Sequence, residues 1–275
     1  MSEVTPLADI LAKLGEKHNV DVPQLSPQEY QQQRIEWYNQ SAGTLNEVDG
    51  YNCDICKNKG YIARLDENNY EVHRACKCQK IRATLNRARR SGLGNIITEF
   101  TFDKYEVTDS WQEQVKNTAK AFCVDDEAKW FYIGGQSGAG KTHICTAIAA
   151  HYIKAGYEVK YMLWIEEAKS LKALINDITY QSKIEVYKEI DVLYIDDFFK
   201  VENGGNPTPA DIKLAFEIIN HRLLDNSKIT IISSEKLLDE LMDYDEATMG
   251  RIYQKTGIYK INIGKDRNKN YRLRG

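Results

Sequence analysis

From about residue 130 onward, hydrophobic residues fall into short strand-like runs separated by longer stretches of helical period. Trp130, Phe131, Tyr132 and Ile133 make one run, and residues 158–162, 192–195 and 228–232 make three more. Short apolar runs of this kind, bounded by turn residues, predict strands buried on both faces. Between them, the stretch from His143 ends at Ala155 and Gly156, a helix stop. Residues 164–177 read as a second helix. Thr208, Pro209 and Asp211 cap a third, which runs to about Leu224. Strand alternating with helix predicts an α/β domain: a parallel sheet with helices on both faces, over residues 91–275. Ligands in that class bind at the carboxyl ends of the strands.

The first ninety residues read differently. Leu7, Ile10, Leu11 and Leu14 have helical spacing, and Ser26, Pro27 and Glu29 form a capping box that opens a helix carrying Ile35, Trp37 and Tyr38. Residues 60–65 and 69–73 alternate like two short strands, with Cys53 and Cys56 before them and Cys76 and Cys78 after. Two cysteine pairs at the ends of a hairpin make a tetrahedral thiolate site for Zn²⁺, closed and therefore structural. A unit of some thirty residues buries little core, so the metal would supply much of its folding free energy. His73 stands close enough in sequence to replace one sulfur, or to be a surface strand residue. Residues 77–90 carry Lys77, Lys80, Arg82, Arg87, Arg89 and Arg90 with no acidic residue, either a solvated linker helix or a contact to a phosphate backbone. The chain thus divides near residue 90, into an N-terminal helical and metal-binding region (1–90) and the α/β domain (91–275).

Charge narrows the classes. The 37 basic and 40 acidic residues leave a net charge of −3, against a protein that coats nucleic acid but open to local basic patches. No apolar stretch approaches the ~20 residues of a membrane span. The segment Met1–Pro6 lacks the layout of a secretion signal, so a cytoplasmic protein without membrane contact is expected. Six cysteines in that compartment point to metal and not to disulfides; Cys123 and Cys145 stand apart as small buried residues.

Gly135, Gln136, Ser137, Gly138, Ala139, Gly140, Lys141 and Thr142 spell a complete phosphate-binding loop between a strand and a helix. Its glycines let successive N–H groups converge on phosphate, and the helix start adds a positive dipole end. Lys141 is expected at the β/γ-phosphates and Thr142 on Mg²⁺. The strand 192–195 ends in Asp196 and Asp197. Lying beside the loop-bearing strand, it would present Asp196 to the Mg²⁺ and Asp197 to the attacking water. Ser233, Ser234 and Glu235 end a further strand, and Ser234, then Glu235, are the candidates for contacting the γ-phosphate or that water.

On these residues, together with Gly250, Arg251 and Ile252 and the closing Tyr271, Arg272, Leu273 and Arg274, the chain resembles the AAA+ ATPases, and within them the bacterial and phage helicase loaders of the DnaC/DnaI type. The cysteine module followed by a basic stretch is similar to that of phage and Gram-positive loaders. The resemblance implies that Arg251 is an arginine finger reaching ATP on a neighbouring subunit. It implies that Arg272 or Arg274 contacts ATP from its own chain, and that residues 164–180 carry helices touching single-stranded DNA. It further implies a loader that uses ATP/ADP and Mg²⁺, assembles with itself, grips the replicative DNA helicase through its N-terminal region, binds single-stranded DNA, and serves replication initiation. Asp197 stands where the family has a glutamate, which implies slow turnover, and Ser234 with Glu235 replaces its sensor asparagine. A transposition-helper ATPase of the same clade and a non-hydrolysing, ATP-switched helicase or DNA adaptor are the alternatives.

Overall fold

The computed structural model describes residues 26–273, so the stretch 7–14 and Arg274 lie outside the described residues. The chain forms two compact units, Met1–Arg82 and Ala83–Gly275, a division eight residues before the expected one.

In the first unit, helix α1 (Pro27–Gln40) opens on the expected capping box, Ser26 with Glu29, and buries Ile35. Helix α2 (Leu45–Asp49) follows, then the antiparallel pair β1 (Tyr61–Leu65) and β2 (Glu71–Ala75), in register Ala63 to His73. The Asn39 side chain both donates to and accepts from the backbone of Ala63, which pins α1 to β1. Helix α3 (Cys78–Arg90) contains the division between the units.

In the second unit, the short α4 (Ile96–Glu99) and α5 (Ser110–Val124) precede β3 (Trp130–Gly135). The phosphate loop leads from β3 to α6 (Lys141–Ala155), which stops at Gly156 in the left-handed region. Then come β4 (Val159–Leu163), α7 (Trp164–Ala173), α8 (Tyr180–Glu189), β5 (Val192–Asp196), α9 (Pro209–Leu223), β6 (Ile229–Ser234), α10 (Leu238–Met242), α11 (Glu246–Thr256) and β7 (Lys260–Ile263). The five strands form one all-parallel sheet in the order β4-β5-β6-β3-β7. Every residue of β3, β5 and β6 is buried, as a central strand covered on both faces requires.

Two expectations are corrected here. The strand ending in Asp196 is not next to the loop-bearing strand: β6 lies between them. Asp196 still meets the loop, because α6 packs across both β5 and β6 and so carries Thr142 over the end of β5. The helix expected over 164–177 ends at Ala173, and a second one starts at Tyr180. Trp164 is buried against Phe198 and Phe199, whereas Ile178, between the two helices, is 96% exposed.

Candidate nucleotide site and cysteine cluster

The loop from Gly135 to Thr142 needs its glycines. Gly135, Gly138 and Gly140 all have positive φ. A Cβ at Gly135 would run into the carbonyl of Ile263, and one at Gly138 into the side chain of Asn270. Gly140 caps α6 without a side-chain bond, so the first turn of that helix keeps free N–H groups aimed at the site, a ready anion seat. Lys141 is buried and curls back on its own loop, donating to Gly135 O (3.0 Å) and Gln136 O (2.8 Å). Burial lowers its pKa, partly opposed by Glu235, Asp197 and Asp196. Ala139 is buried in the core beneath the loop. Gln136 accepts from Asp266 N–H (3.1 Å), and its own N–H donates to Ile263 O (3.0 Å).

The loop opens into a cleft of about 390 Å³, lined by Ser137, Gly138, Gly140, Lys141, Thr142, Asp197, Glu235 and Arg272, among others. At one end Phe100 stacks on His143 (4.9 Å, 20°) and Tyr105 meets the same ring edge-on (5.2 Å), an aromatic wall suited to a base. At the other end, Asp196 accepts from Thr142 Oγ1 (3.2 Å), Tyr161 OH (3.0 Å) and Ser233 Oγ. An acidic oxygen beside the loop threonine is the donor set a hexacoordinate Mg²⁺ takes when it also binds phosphate.

Asp197 lines the cleft and binds Lys200 Nζ at 2.8 Å. The Ser234 expectation is corrected. Its hydroxyl is buried and donates to Phe198 O (2.8 Å), because strand pairing turns it away from the loop. Glu235, the next residue, lines the cleft instead and accepts from Ser137 Oγ (3.1 Å) and Lys200 Nζ (3.1 Å). Burial works against the Glu235 carboxylate, but Lys200 and Ser137 outweigh it and hold its pKa below the usual value.

Arg272 is at the cleft, in a segment tied to the loop by Tyr271 N–H to Gly138 O (2.9 Å). Arg251 is not among the residues lining the cleft. It lies exposed on α11 and donates to Asn220 Oδ1 of α9 (2.7 Å). Lys200, Tyr161 and Ser233 were not singled out by the sequence. The only available signal for Lys200 was its position three residues after Asp197.

In the first unit, Cys53, Cys56, Cys76 and Cys78 are all buried, with their sulfur atoms within 4.8 Å of one another. The Cys53–Cys76 and Cys56–Cys78 sulfurs stand 3.8 and 3.6 Å apart. Four sulfurs at Zn–S bonds of ~2.3 Å in a tetrahedron stand about 3.8 Å apart, so the cluster fits that ion. Lys57 and Asn58, both at positive φ, turn the chain after Cys56, and Gly60 N–H points at the Cys56 sulfur (3.2 Å). His73 is outside the cluster, held by Glu71 (2.9 Å) and the Tyr38 ring (4.6 Å). The basic stretch is partly structural. Arg82 is buried, bonded to Asp49, Tyr51 O (3.0 Å) and Asn58 Oδ1 (3.1 Å), and Arg87 donates to Ile153 O (3.2 Å).

The family described as IstB-like ATP binding protein matches residues 58–272. The phage-like element PBSX protein XkdC of Bacillus subtilis (strain 168) is 31% identical over 240 residues, which is 82% of this chain and 87% of that protein. Among solved structures, DnaI superposes with a TM-score of 0.50 at 20% identity, covering 61% of this chain and 92% of that one. The DnaC helicase loader superposes with a TM-score of 0.50 at 18% identity, covering 63% and 100%. These two likenesses show that the chain shares the fold of DnaI and of the DnaC helicase loader. No helix among the described residues is long and apolar enough to cross a membrane.

Proposed function

The chain belongs to the IstB-like ATP-binding family, and from that premise we propose that it is an ATP-dependent loader of a replicative DNA helicase. The observation that carries the reading is the pairing, in one chain, of an AAA+ phosphate site with a separate four-cysteine module. The DnaC helicase loader has the same core fold, which supports the assignment of task.

The chemistry follows from the cleft. The loop N–H groups and Lys141 take the β/γ-phosphates. Thr142 and Asp196 would hold Mg²⁺, which would draw charge from the phosphate oxygens. Asp197 orients a water at the γ-phosphorus and accepts its proton. The new P–O bond forms as the bond to the β-phosphate oxygen breaks, and ADP leaves with the electron pair. An aspartate reaches less far than a glutamate, so turnover is slow. Arg272 contacts nucleotide from its own chain, with Arg274 as the other candidate. Arg251, exposed and outside its own cleft, completes the site of a neighbouring subunit, as a guanidinium that stabilises transferred charge only in an assembly. ATP binding then drives self-assembly on the helicase and on single-stranded DNA.

The cysteine module would hold Zn²⁺ through its four thiolates, with no open position, as a structural brace for a surface that grips the helicase. The test is ATP turnover with and without single-stranded DNA, beside a pull-down of the helicase. DNA-stimulated turnover with capture of the helicase supports a loader. Nucleotide binding without turnover supports the non-hydrolysing adaptor, and turnover without capture supports a transposition helper.

A further inference from the structure

The cleft contains a cation that the phosphate-loop reading does not use. Lys200 Nζ bridges Asp197 Oδ2 (2.8 Å) and Glu235 Oε1 (3.1 Å), and Glu235 in turn takes the hydroxyl of Ser137 in the loop (3.1 Å). All four of these residues line the cleft. One ammonium thus links the ends of β5 and β6 and, through Glu235, the phosphate loop.

The backbone is strained to place it there. Asp197 has φ 54° and Phe199 φ 58°, neither being glycine. For a bulky residue such as phenylalanine the left-handed region is costly and persists only where the surroundings fix it. They do so here. Phe198 and Phe199 stack at 4.2 Å against Trp164, and Phe198 N–H donates to Ser233 O (2.8 Å). Ser234 Oγ donates to Phe198 O (2.8 Å), and Lys200 N–H closes the turn onto Asp197 O (2.9 Å). The outcome of this clamped turn is that the side chain of Lys200 folds back over the carboxylate at the strand end. Burial opposes its charge, but Asp197 and Glu235 raise its pKa, so the ammonium form persists at neutral pH.

A salt bridge made only for stability has no need of a strained turn, or of a place in the cleft wall where phosphate enters. Two carboxylates facing an incoming polyanion need a cation between them, and an ammonium has three N–H groups, of which two are taken here. We propose that Lys200 is a nucleotide-binding residue that distinguishes ATP from ADP: its third N–H serves the γ-phosphate, while the other two keep Asp197 and Glu235 in place. This rests on the ATP-site reading above. It assigns the discriminating role to Lys200 with Glu235, at the place where the family's asparagine is missing.

The test is a competition titration of ATP and ADP against a fluorescent nucleotide, on the full chain at a concentration where it is monomeric, for the native protein, Lys200→Met, Lys200→Arg and Lys141→Ala. Lys200 is on the cleft wall and partly exposed, so the methionine variant keeps the fold, checked by an unchanged melting temperature. The expected result is that Lys200→Met loses about tenfold in ATP affinity while ADP changes less than about twofold, roughly a 1.4 kcal/mol difference. Lys200→Arg should restore most of the preference. Equal losses for both nucleotides, or a preference left intact, would overturn the proposal. Native protein that binds neither nucleotide overturns the site reading itself. Loss of both in Lys141→Ala alone, with Lys200→Met unaffected, keeps the site and overturns only the role of Lys200.

Discussion

Arg222, on α9, is fully buried and has no carboxylate among its hydrogen-bond partners. Its guanidinium donates to Tyr187 O (3.1 Å), Lys188 O (3.1 Å) and Ile190 O (2.8 Å) at the end of α8, and to Asp191 O (3.4 Å) and Ile229 O (2.7 Å) at the starts of β5 and β6. Nε donates to Thr230 Oγ1 (3.0 Å). Burial pushes its pKa down to about 10, opposed by Asp225, Glu189 and Asp191, so it stays charged at neutral pH. It therefore ties together the amino ends of the two strands whose carboxyl ends carry Asp196 and Glu235. Arg222→Met keeps the aliphatic stem and removes every donor. Each carbonyl left without a partner costs roughly 1–3 kcal/mol if nothing relaxes. Water entry, local shifts and the loss of the desolvation cost of a buried charge recover part of this, which leaves about 3–5 kcal/mol, the large-effect range for breaking a buried hydrogen-bond network. Against a total of about 5–15 kcal/mol, that is a large share. With a urea slope of about 2 kcal/mol/M, the unfolding midpoint should fall by about 2 M. The assay is urea denaturation followed by tryptophan fluorescence, which Trp130 and Trp164 in the second unit report. Arg222→Lys, with fewer donors and a shorter reach, should fall in between. A shift of Arg222→Met below about 0.5 M would refute the reasoning.

Three other outcomes are expected. Elemental analysis of protein purified without chelator should give about one zinc per chain, since four thiolates make one tetrahedral site; metal-free protein with a folded first unit contradicts this. Asp197→Asn should bind ATP near the native level and lose hydrolysis by at least about a hundredfold, as for removal of a general base; an unchanged rate would make Asp197 a partner of Lys200 and nothing more. Arg251→Ala should bind ATP normally as a monomer, lose DNA-stimulated turnover, and recover part of it when mixed with Lys141→Ala, because one chain brings the finger and the other the intact pocket; weakened ATP binding by the monomer would place Arg251 in its own site.

What the sequence made legible follows from range. The phosphate loop is a local object: its glycines, lysine and threonine all lie within eight residues, so spacing alone was enough. The same holds for the capping boxes at Ser26 and Thr208 and for the cysteine pairs. Strand order was not legible in this way. Residues 192–195 read correctly as a buried strand, yet its neighbour is β6, because lateral order is set by how the crossover helices pack. The choice of Ser234 over Glu235 failed for a related reason. Ser233, Ser234 and Glu235 alternate in direction at a strand end, and only pairing to β3 and β5 decides which one reaches the cleft. Lys200 was hidden because left-handed backbone at Asp197 and Phe199 has no marker when no glycine is present. Arg82 and Arg87 fit neither reading of the basic stretch, the solvated helix or the phosphate contact. Composition shows the run of charge, but not which of its members are bonded into the structure, as these two are.

The central claim is that nucleotide state controls a grip on a helicase. Size exclusion with light scattering on the protein mixed with the replicative helicase of its source, with ATP, with ADP and without nucleotide, tests it most directly. The account predicts co-elution that is strengthened by ATP over ADP, and loss of that ATP effect in Lys141→Ala. Separate elution under all three conditions, or a complex indifferent to nucleotide, would contradict it.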